Sequence, residues 1–173
     1  YALYQSYSET RPIWTNNQDT RDTVTAEDGK TYTSDQATIW RWREHFQHDF
    51  AARMDWCVAD DPRKANHNPV AVLNGDASKR VVERTARGGE TVRLSADGTR
   101  DTDGDEVDCD WFVYREAGTC PKEVELSNAA GPVTSFVAPA VEKPCTLHVI
   151  LTVADRGVPR LRAYRRAIVT IAD

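Results

Sequence analysis

The sequence contains no long hydrophobic run, and this absence argues against a membrane-spanning helix. None of its apolar segments approaches the roughly 20 residues that a helix needs to cross a bilayer. A basic stripe is missing as well, since 22 basic and 27 acidic residues give a net charge of −5. Nucleic-acid surfaces concentrate Lys and Arg, so this charge balance disfavours such a partner. We therefore expect neither membrane insertion nor nucleic-acid binding.

The motifs of common catalytic centres are also absent. There is no Ser-His-Asp arrangement and no glycine-rich phosphate loop, and His45 and His48 lack the spacing of an H-E-x-x-H zinc helix. The four cysteines contain no C-x-x-C pair, which excludes the usual zinc spacing; they are Cys57, Cys109, Cys120 and Cys145. Free thiols and disulfides both remain open. We expect this chain alone not to be an enzyme.

The chain starts at Tyr1 with neither a Met nor a signal-like segment, which predicts a mature or excised fragment. Its 173 residues suffice for one large domain, or for a domain with an appendage.

The clearest secondary-structure signal lies at the C-terminal end. Apolar and other residues alternate over 146–154 and again over 167–171, which is the period of a β-strand. Between these runs, Asp155 can cap a turn through its side chain, and Gly157 can adopt a positive φ. The pattern predicts a long β-hairpin.

Further short strands are predicted upstream, separated by turn residues. They lie at 69–75, around Val92 and Leu94, and at 109–114, 124–126 and 133–138. With the hairpin they make about seven strands, a number typical of an antiparallel β-sandwich of the immunoglobulin-like type. We therefore predict a mainly β fold in which residues 66–173 form the sandwich and Trp111 lies in its core.

The N-terminal part, residues 1–65, is predicted to hold an irregular segment followed by one long amphipathic α-helix. Thr33 or Ser34 is a suitable N-cap. Apolar residues then recur every three or four positions for about six turns, namely Ile39, Trp42, Phe46, Phe50, Met54 and Cys57.

Three aromatic residues of this part, Trp14, Tyr32 and Trp40, occur in polar surroundings. Flat exposed aromatic side chains can stack on the apolar C–H faces of sugar rings. Packing against a neighbouring domain is an equally good interpretation.

A run of aspartates between two predicted strands has two interpretations. Asp101, Asp103 and Asp105 have the alternating spacing with which oxygen ligands surround Ca²⁺. The glycine and glutamate positions of an EF-hand do not follow, and an Asp/Gly turn capped by its own side chains explains the same letters. We predict a turn that binds Ca²⁺ weakly if at all.

The chain resembles the C-terminal part of a family of secreted bacterial cellulose-binding proteins that pair a nucleoside-hydrolase-like domain with a C-terminal sandwich. The segments that carry the resemblance are RPIWTNNQDT at 11–20, DGKTYTSDQATIWRWREHFQHDFAARMDWCVAD at 28–60, NHNPVAVLNGD at 66–76, DTDGDEVDCDWFVYREAGTCP at 101–121 and LHVILTVADRGVPRLRAYRRAIVTI at 147–171.

This resemblance implies a secreted or periplasmic protein, a preceding nucleoside-hydrolase-like domain, and a polysaccharide or glycan as partner. It also implies a possible Ca²⁺ ligand in Asp49, because His48-Asp49 is loosely similar to the late HDP segment of nucleoside hydrolases. Phe50 stands where that segment has proline, so the similarity is partial.

The predicted strand order suggests one disulfide, between Cys120 and Cys145. The strand before Cys120 and the strand after Cys145 should be antiparallel neighbours, which places the two cysteines at the same end. A buried free thiol at Cys120 is the alternative.

Three functions follow as hypotheses. The first is a non-catalytic accessory fragment that associates with carbohydrate. The second is part of a glycoside or ribosyl hydrolase whose active site lies mostly outside this chain, and the third is a structural spacer.

Overall fold

The structure is a computed structural model that describes residues 22–25, 29–34 and 36–172, except for the side chains of Asp22 and Thr38. The chain divides into two compact units, residues 1–47 and residues 48–173. Neither described helix is long and apolar enough to cross a membrane.

The first unit contains a short hairpin and a single helical turn. Strands β1 (Asp22–Thr25) and β2 (Thr31–Ser34) pair antiparallel, with Val24 opposite Tyr32. Helix α1 (Ala37–Trp40) follows, and its N-cap is Gln36, whose side chain makes no capping hydrogen bond. The predicted N-cap, Thr33 or Ser34, is therefore wrong, and the Ser34 Oγ instead accepts the Gln36 N–H at 3.1 Å.

The predicted long helix is interrupted. After α1 the chain makes a turn at 41–42, and helix α2 then spans Arg43–Val58. The interruption was not predicted because the apolar spacing runs through it unchanged.

The second unit is a β-sandwich, as predicted. Six strands form it within the described residues: β3 (Val82–Arg87), β4 (Thr91–Ser95), β5 (Val107–Val113), β6 (Val133–Val137), β7 (Cys145–Asp155) and β8 (Arg162–Ala172). One sheet has the order β3-β8-β7-β5 and the other is the pair β4-β6. The long hairpin β7-β8 forms the middle of the larger sheet.

The core lies between the two sheets. Trp111 of β5 is buried there, as predicted, and its Nε1 donates a hydrogen bond to the Gly131 carbonyl at 2.8 Å. Alternate residues of the hairpin contribute much of this layer; they are Leu147, Val149, Leu151, Val153, Ala167, Val169 and Ile171.

Three strand predictions need correction. Residues 69–75 make isolated bridges, Val70 with Arg100 and Leu73 with Asp76, and no strand. In the described chain, residues 124–126 are likewise irregular. Strand β3 was missed, and it pairs parallel to β8, so the sandwich is not wholly antiparallel.

The turn of the β7-β8 hairpin is organised by Asp155, as predicted. Its buried carboxylate accepts the N–H groups of Gly157 at 3.0 Å and Leu161 at 2.9 Å. Gly157 does not have a positive φ. A Cβ there would lie 2.3 Å from Asn66 Nδ2, so close packing is what this position requires.

Candidate functional site

Two of the three predicted aromatic contact residues lie together. The rings of Tyr32 and Trp40 form an edge-to-face pair with centroids 6.5 Å apart and an interplanar angle of 88°. Strand β2 supplies the tyrosine and the last residue of α1 supplies the tryptophan. Both remain accessible, at 44% and 38% exposure. Trp14 lies outside the described residues.

The hairpin that presents Tyr32 also carries a row of hydroxyl groups. Thr23 and Thr33 are hydrogen-bonded through their Oγ1 atoms at 2.9 Å, and Thr25 and Thr31 at 3.3 Å. These cross-strand pairs alternate with the Val24–Tyr32 pair, so they face the other side of the two-stranded sheet. Such hydroxyls can donate to or accept from a polar ligand.

Arg41 connects the short helix with the hairpin. Its Nη2 donates to the Thr23 carbonyl at 3.3 Å. Because Trp40 is the preceding residue, this bond helps to fix the tryptophan beside Tyr32. We define Tyr32 and Trp40 as the aromatic pair, and it is the candidate ligand-contact site of the first unit.

The aspartate run in the second unit forms a self-capped turn. Asp101 Oδ1 accepts the backbone N–H groups of Asp103 at 2.7 Å and Asp105 at 3.2 Å. Asp103 in turn accepts from the His67 backbone N–H at 2.7 Å, and His67 Nδ1 lies 3.0 Å from its Oδ1. Burial raises the pKa of Asp105, and the neighbouring Asp101 carboxylate raises it further.

Because carboxylates of this turn accept backbone N–H groups, they do not form a ready set of Ca²⁺ ligands. In the part of the chain that the structure describes, no group of three or more His, Cys, Asp or Glu side chains is arranged to hold a metal ion. Asp49 lies on α2, where it pairs with Arg53 at 2.7 Å and accepts from Asn68 Nδ2 at 3.2 Å. Ca²⁺ binding stays a prediction.

Sequence reasoning missed a stack of side chains that attaches α2 to the sandwich. The Trp56 and His67 rings are stacked with centroids 5.3 Å apart, and Trp56 Nε1 donates to the Asn66 carbonyl at 2.6 Å. Ala52 is fully buried on the same side of the helix. In the sequence, Trp56 and the linker residues Asn66 and His67 are the signal that could have indicated this attachment.

The apolar residues of the predicted stripe lie on the side of α2 opposite Ala52 and Trp56. Phe50 is 62% exposed, Met54 46% and Val58 83%. Their spacing of four residues places them on one face, roughly opposite Ala52 and Trp56. Together with the exposed Cys57 we call them the outer helix face.

All four cysteines lie in the described residues, and none of them forms a disulfide. Cys120 and Cys145, predicted to form a disulfide, interact through their side chains. Burial, followed by this interaction with Cys120, raises the pKa of Cys145 to about 11.

The fold defines a β-sandwich module that carries a helix docked through Ala52 and Trp56. Residues 91–171 match the family model described as cellulose-binding protein Sde0182, C-terminal domain. No curated protein matches the chain.

A solved structure extends the similarity over most of the chain. It is a nucleoside hydrolase-related protein from Saccharophagus degradans, described as associated with carbohydrate metabolism, with 35% identity and a TM-score of 0.77. The match covers 84% of this chain and 36% of that one, so this chain spans about a third of the length of its relative.

Two other solved structures are much less similar. A sialyltransferase from Photobacterium damsela is 17% identical, with a TM-score of 0.32 over 53% of this chain and 18% of its own. Human CDH23 EC21–23 is 17% identical, with a TM-score of 0.38 over 61% of this chain and 35% of its own.

Proposed function

We propose that this chain is a non-catalytic accessory module of an extracellular protein, and that it associates with polysaccharide through the aromatic pair. The observation that carries the proposal is the accessibility of both rings, Tyr32 at 44% and Trp40 at 38%. An aromatic ring that remains in water gains free energy when the apolar face of a sugar covers it. The match of residues 91–171 to a cellulose-binding protein family supports a glucan as the ligand.

The arrangement suits a polymer better than a small sugar. An edge-to-face pair offers the flat face of one ring beside the edge of the other. Contacts of this kind are weak for a single ring and add up along a chain of repeating units.

Binding to microcrystalline cellulose, together with affinity electrophoresis in gels that contain soluble polysaccharides, tests this proposal. The double variant Tyr32→Ala/Trp40→Ala should bind about tenfold more weakly, which corresponds to about 1.4 kcal/mol. Its circular dichroism spectrum should be unchanged, because both side chains lie outside the sandwich core.

The matched control is Tyr164→Ala, which removes an exposed tyrosine from β8 of the sandwich. We expect it to bind as the unmodified chain does. Loss of binding in this control with retention in the double variant would assign the site to the sandwich instead. Absence of binding to every polysaccharide would overturn the carbohydrate proposal.

A second proposal concerns the outer helix face, and it develops the hydrolase alternative. We infer that this face packs against a nucleoside-hydrolase-like domain. Phe50, Met54 and Val58 present a continuous apolar surface, which is costly to leave in water. The nucleoside hydrolase-related relative supports this partner, because most of its length lies outside the matched region.

Sedimentation of this chain mixed with the unmatched region of the Saccharophagus degradans protein tests the second proposal. A complex should form, and Phe50→Glu/Met54→Glu should weaken it at least about tenfold, because a buried carboxylate without a partner is unfavourable. Asp55→Ala, at an exposed position of the same helix, should leave the affinity of the complex unchanged. Self-association of the chain through this face would contradict the assignment.

A further inference from the structure

Two thiols of the sandwich lie in direct contact at one end of the larger sheet. Cys145 is the first residue of β7 and is buried, whereas Cys120 lies in the segment after β5 and is half-buried. The Cys120 thiol, after burial, contributes to the raised pKa of Cys145, so the two side chains interact.

Backbone hydrogen bonds hold the two segments together. The N–H groups of Thr119 and Cys120 both donate to the Thr146 carbonyl, at 2.9 and 3.1 Å. The Thr146 N–H donates to Thr119 Oγ1 at 2.9 Å. These bonds hold the two cysteine-bearing segments side by side, and a disulfide requires backbones that are close together.

The other two cysteines are poor competitors. Cys109 is paired with Val153, which lies eight residues along β7 from Cys145. At roughly 3.3 Å per residue that separation is about 26 Å, far beyond the reach of a disulfide. Cys57 is exposed on the outer helix face.

We propose that Cys120 and Cys145 are an oxidative modification site, at which a low-molecular-weight disulfide such as glutathione disulfide converts the thiol pair into an intramolecular disulfide. The Cys120 thiolate attacks one sulfur of the reagent and releases one glutathione thiol. The Cys145 thiolate then attacks Cys120 Sγ in the mixed disulfide and releases the second. Two electrons and two protons pass from the cysteines to the glutathione disulfide.

A cleft of about 780 Å³ lies beside this pair, and the two chain neighbours of Cys120, Thr119 and Pro121, line it. Cys145 lies on its wall, together with Lys122, Glu142 and Lys143. The two lysines outnumber the glutamate, which favours an anionic reagent such as glutathione disulfide. Because burial raises the pKa of Cys145 to about 11, its thiolate fraction, and with it the rate of the second attack, should increase as the pH rises.

The bond closes a loop of about 25 residues, so it restricts the unfolded chain and stabilises the folded one. For this chain length we expect a rise in melting temperature of about 5–10 °C.

The test treats the full chain with glutathione disulfide at pH 8.5, blocks remaining thiols with iodoacetamide, and maps tryptic peptides without reductant. The expected product joins the peptide 116–122 to the peptide 123–156, which stays intact at Lys143 because Pro144 follows. Complete alkylation of both cysteines would overturn the proposal. Glutathione retained on Cys120 with Cys145 alkylated would overturn it as well.

Two variants accompany the mapping. Cys57→Ser should keep the linked peptides and the rise in melting temperature, since its thiol is exposed and remote in sequence. Cys120→Ser should lose both, and we choose it over Cys145→Ser because Cys120 is less buried and its replacement disturbs the core less. A rise of the same size in Cys120→Ser would show that another bond is responsible and would contradict the proposal.

Discussion

Single buried polar residues fix the irregular segments of this molecule to its sheets. Asp155 is fully buried, and besides the hairpin N–H groups its carboxylate accepts from Asn66 Nδ2 at 3.1 Å. Asn66 also donates to the Pro159 carbonyl at 2.8 Å. A buried polar group without a partner costs about 1–3 kcal/mol of stability. Losing one of these bonds therefore destabilises the fold by more than its formation stabilises it. The linker after α2 is held to the hairpin in this way.

His148 gives a prediction about pH. It is buried on β7, and its Nδ1 accepts a hydrogen bond from Arg166 Nε at 3.1 Å, which requires the neutral ring. Burial lowers its pKa below the ordinary 6.5, and the positive charge of Arg166 lowers it further. Below pH 6.5 the unfolded chain therefore binds more protons at this residue than the folded chain. The contribution of His148 to stability is complete above pH 6.5 and declines as the pH falls below it.

Urea unfolding at pH 7.5, 6.5 and 5.5 checks this prediction by comparing the chain with His148→Gln. A Gln side chain can still accept from Arg166 but does not titrate. The stability of the unmodified chain relative to the variant should decrease below pH 6.5, by at most about 1.4 kcal/mol per pH unit. All other ionisable groups are common to both proteins. A difference that is constant over this range would contradict the assignment.

Whole elements were predictable where the side-chain pattern and the environment agreed. Strands β7 and β8 alternate apolar residues over a long run, and they were found where the sequence predicted them. Strand β3 has the sequence VERTAR with only Ala86 buried, so its pattern lacked an apolar face. The aromatic candidates Tyr32 and Trp40 were identified, but their contact depends on a break between α1 and α2 that periodicity does not show.

The apolar segment 69–75 failed as a strand for a physical reason that lies elsewhere in the chain. Buried Arg165 of β8 bonds to one carbonyl of this segment and to two carbonyls that follow it. Its guanidinium donates to the carbonyls of Ala71 at 3.4 Å and Arg80 at 3.0 Å, and also to that of Asp76. This side chain and isolated backbone bonds, such as that from the Val70 N–H to the Arg100 carbonyl at 2.8 Å, hold the segment in place instead of a continuous ladder.

Arg165→Met should therefore destabilise the sandwich by about 3 kcal/mol, because it leaves several carbonyls without a donor. Arg165→Lys should cost less than Arg165→Met, since it keeps the charge but not the planar fork. Chemical denaturation measures both. Arg93→Met, on an exposed position of β4, is the matched control and should change stability by no more than about 0.5 kcal/mol. Equal effects in Arg165→Met and Arg93→Met would contradict this role.

At the scale of the whole molecule, the sandwich unit contains its own core and its own helical attachment. The core residues lie between Ala71 and Ile171. The part of α2 that belongs to this unit is fixed to it by several contacts. His48 Nδ1 lies 3.0 Å from the Arg160 carbonyl, and Trp56 Nε1 donates to the Asn66 carbonyl. His48, the first residue of the second compact unit, is therefore also the first residue that attaches α2 to the sandwich.

This organisation predicts that a chain of residues 48–173 folds on its own. Its melting temperature, followed by near-ultraviolet circular dichroism of the buried Trp111, should lie within about 3 °C of the full chain, because none of the core residues is removed.

A chain of residues 69–173 also keeps the sandwich strands but loses Asn66, Trp56 and the rest of α2. Asp155 Oδ2 then loses its buried donor, and we expect a melting temperature lower by about 10 °C or more. Equal melting temperatures of the two truncated chains would show that the helix adds nothing to the sandwich. Unfolding of the 48–173 chain would show instead that residues 1–47 are part of its stability.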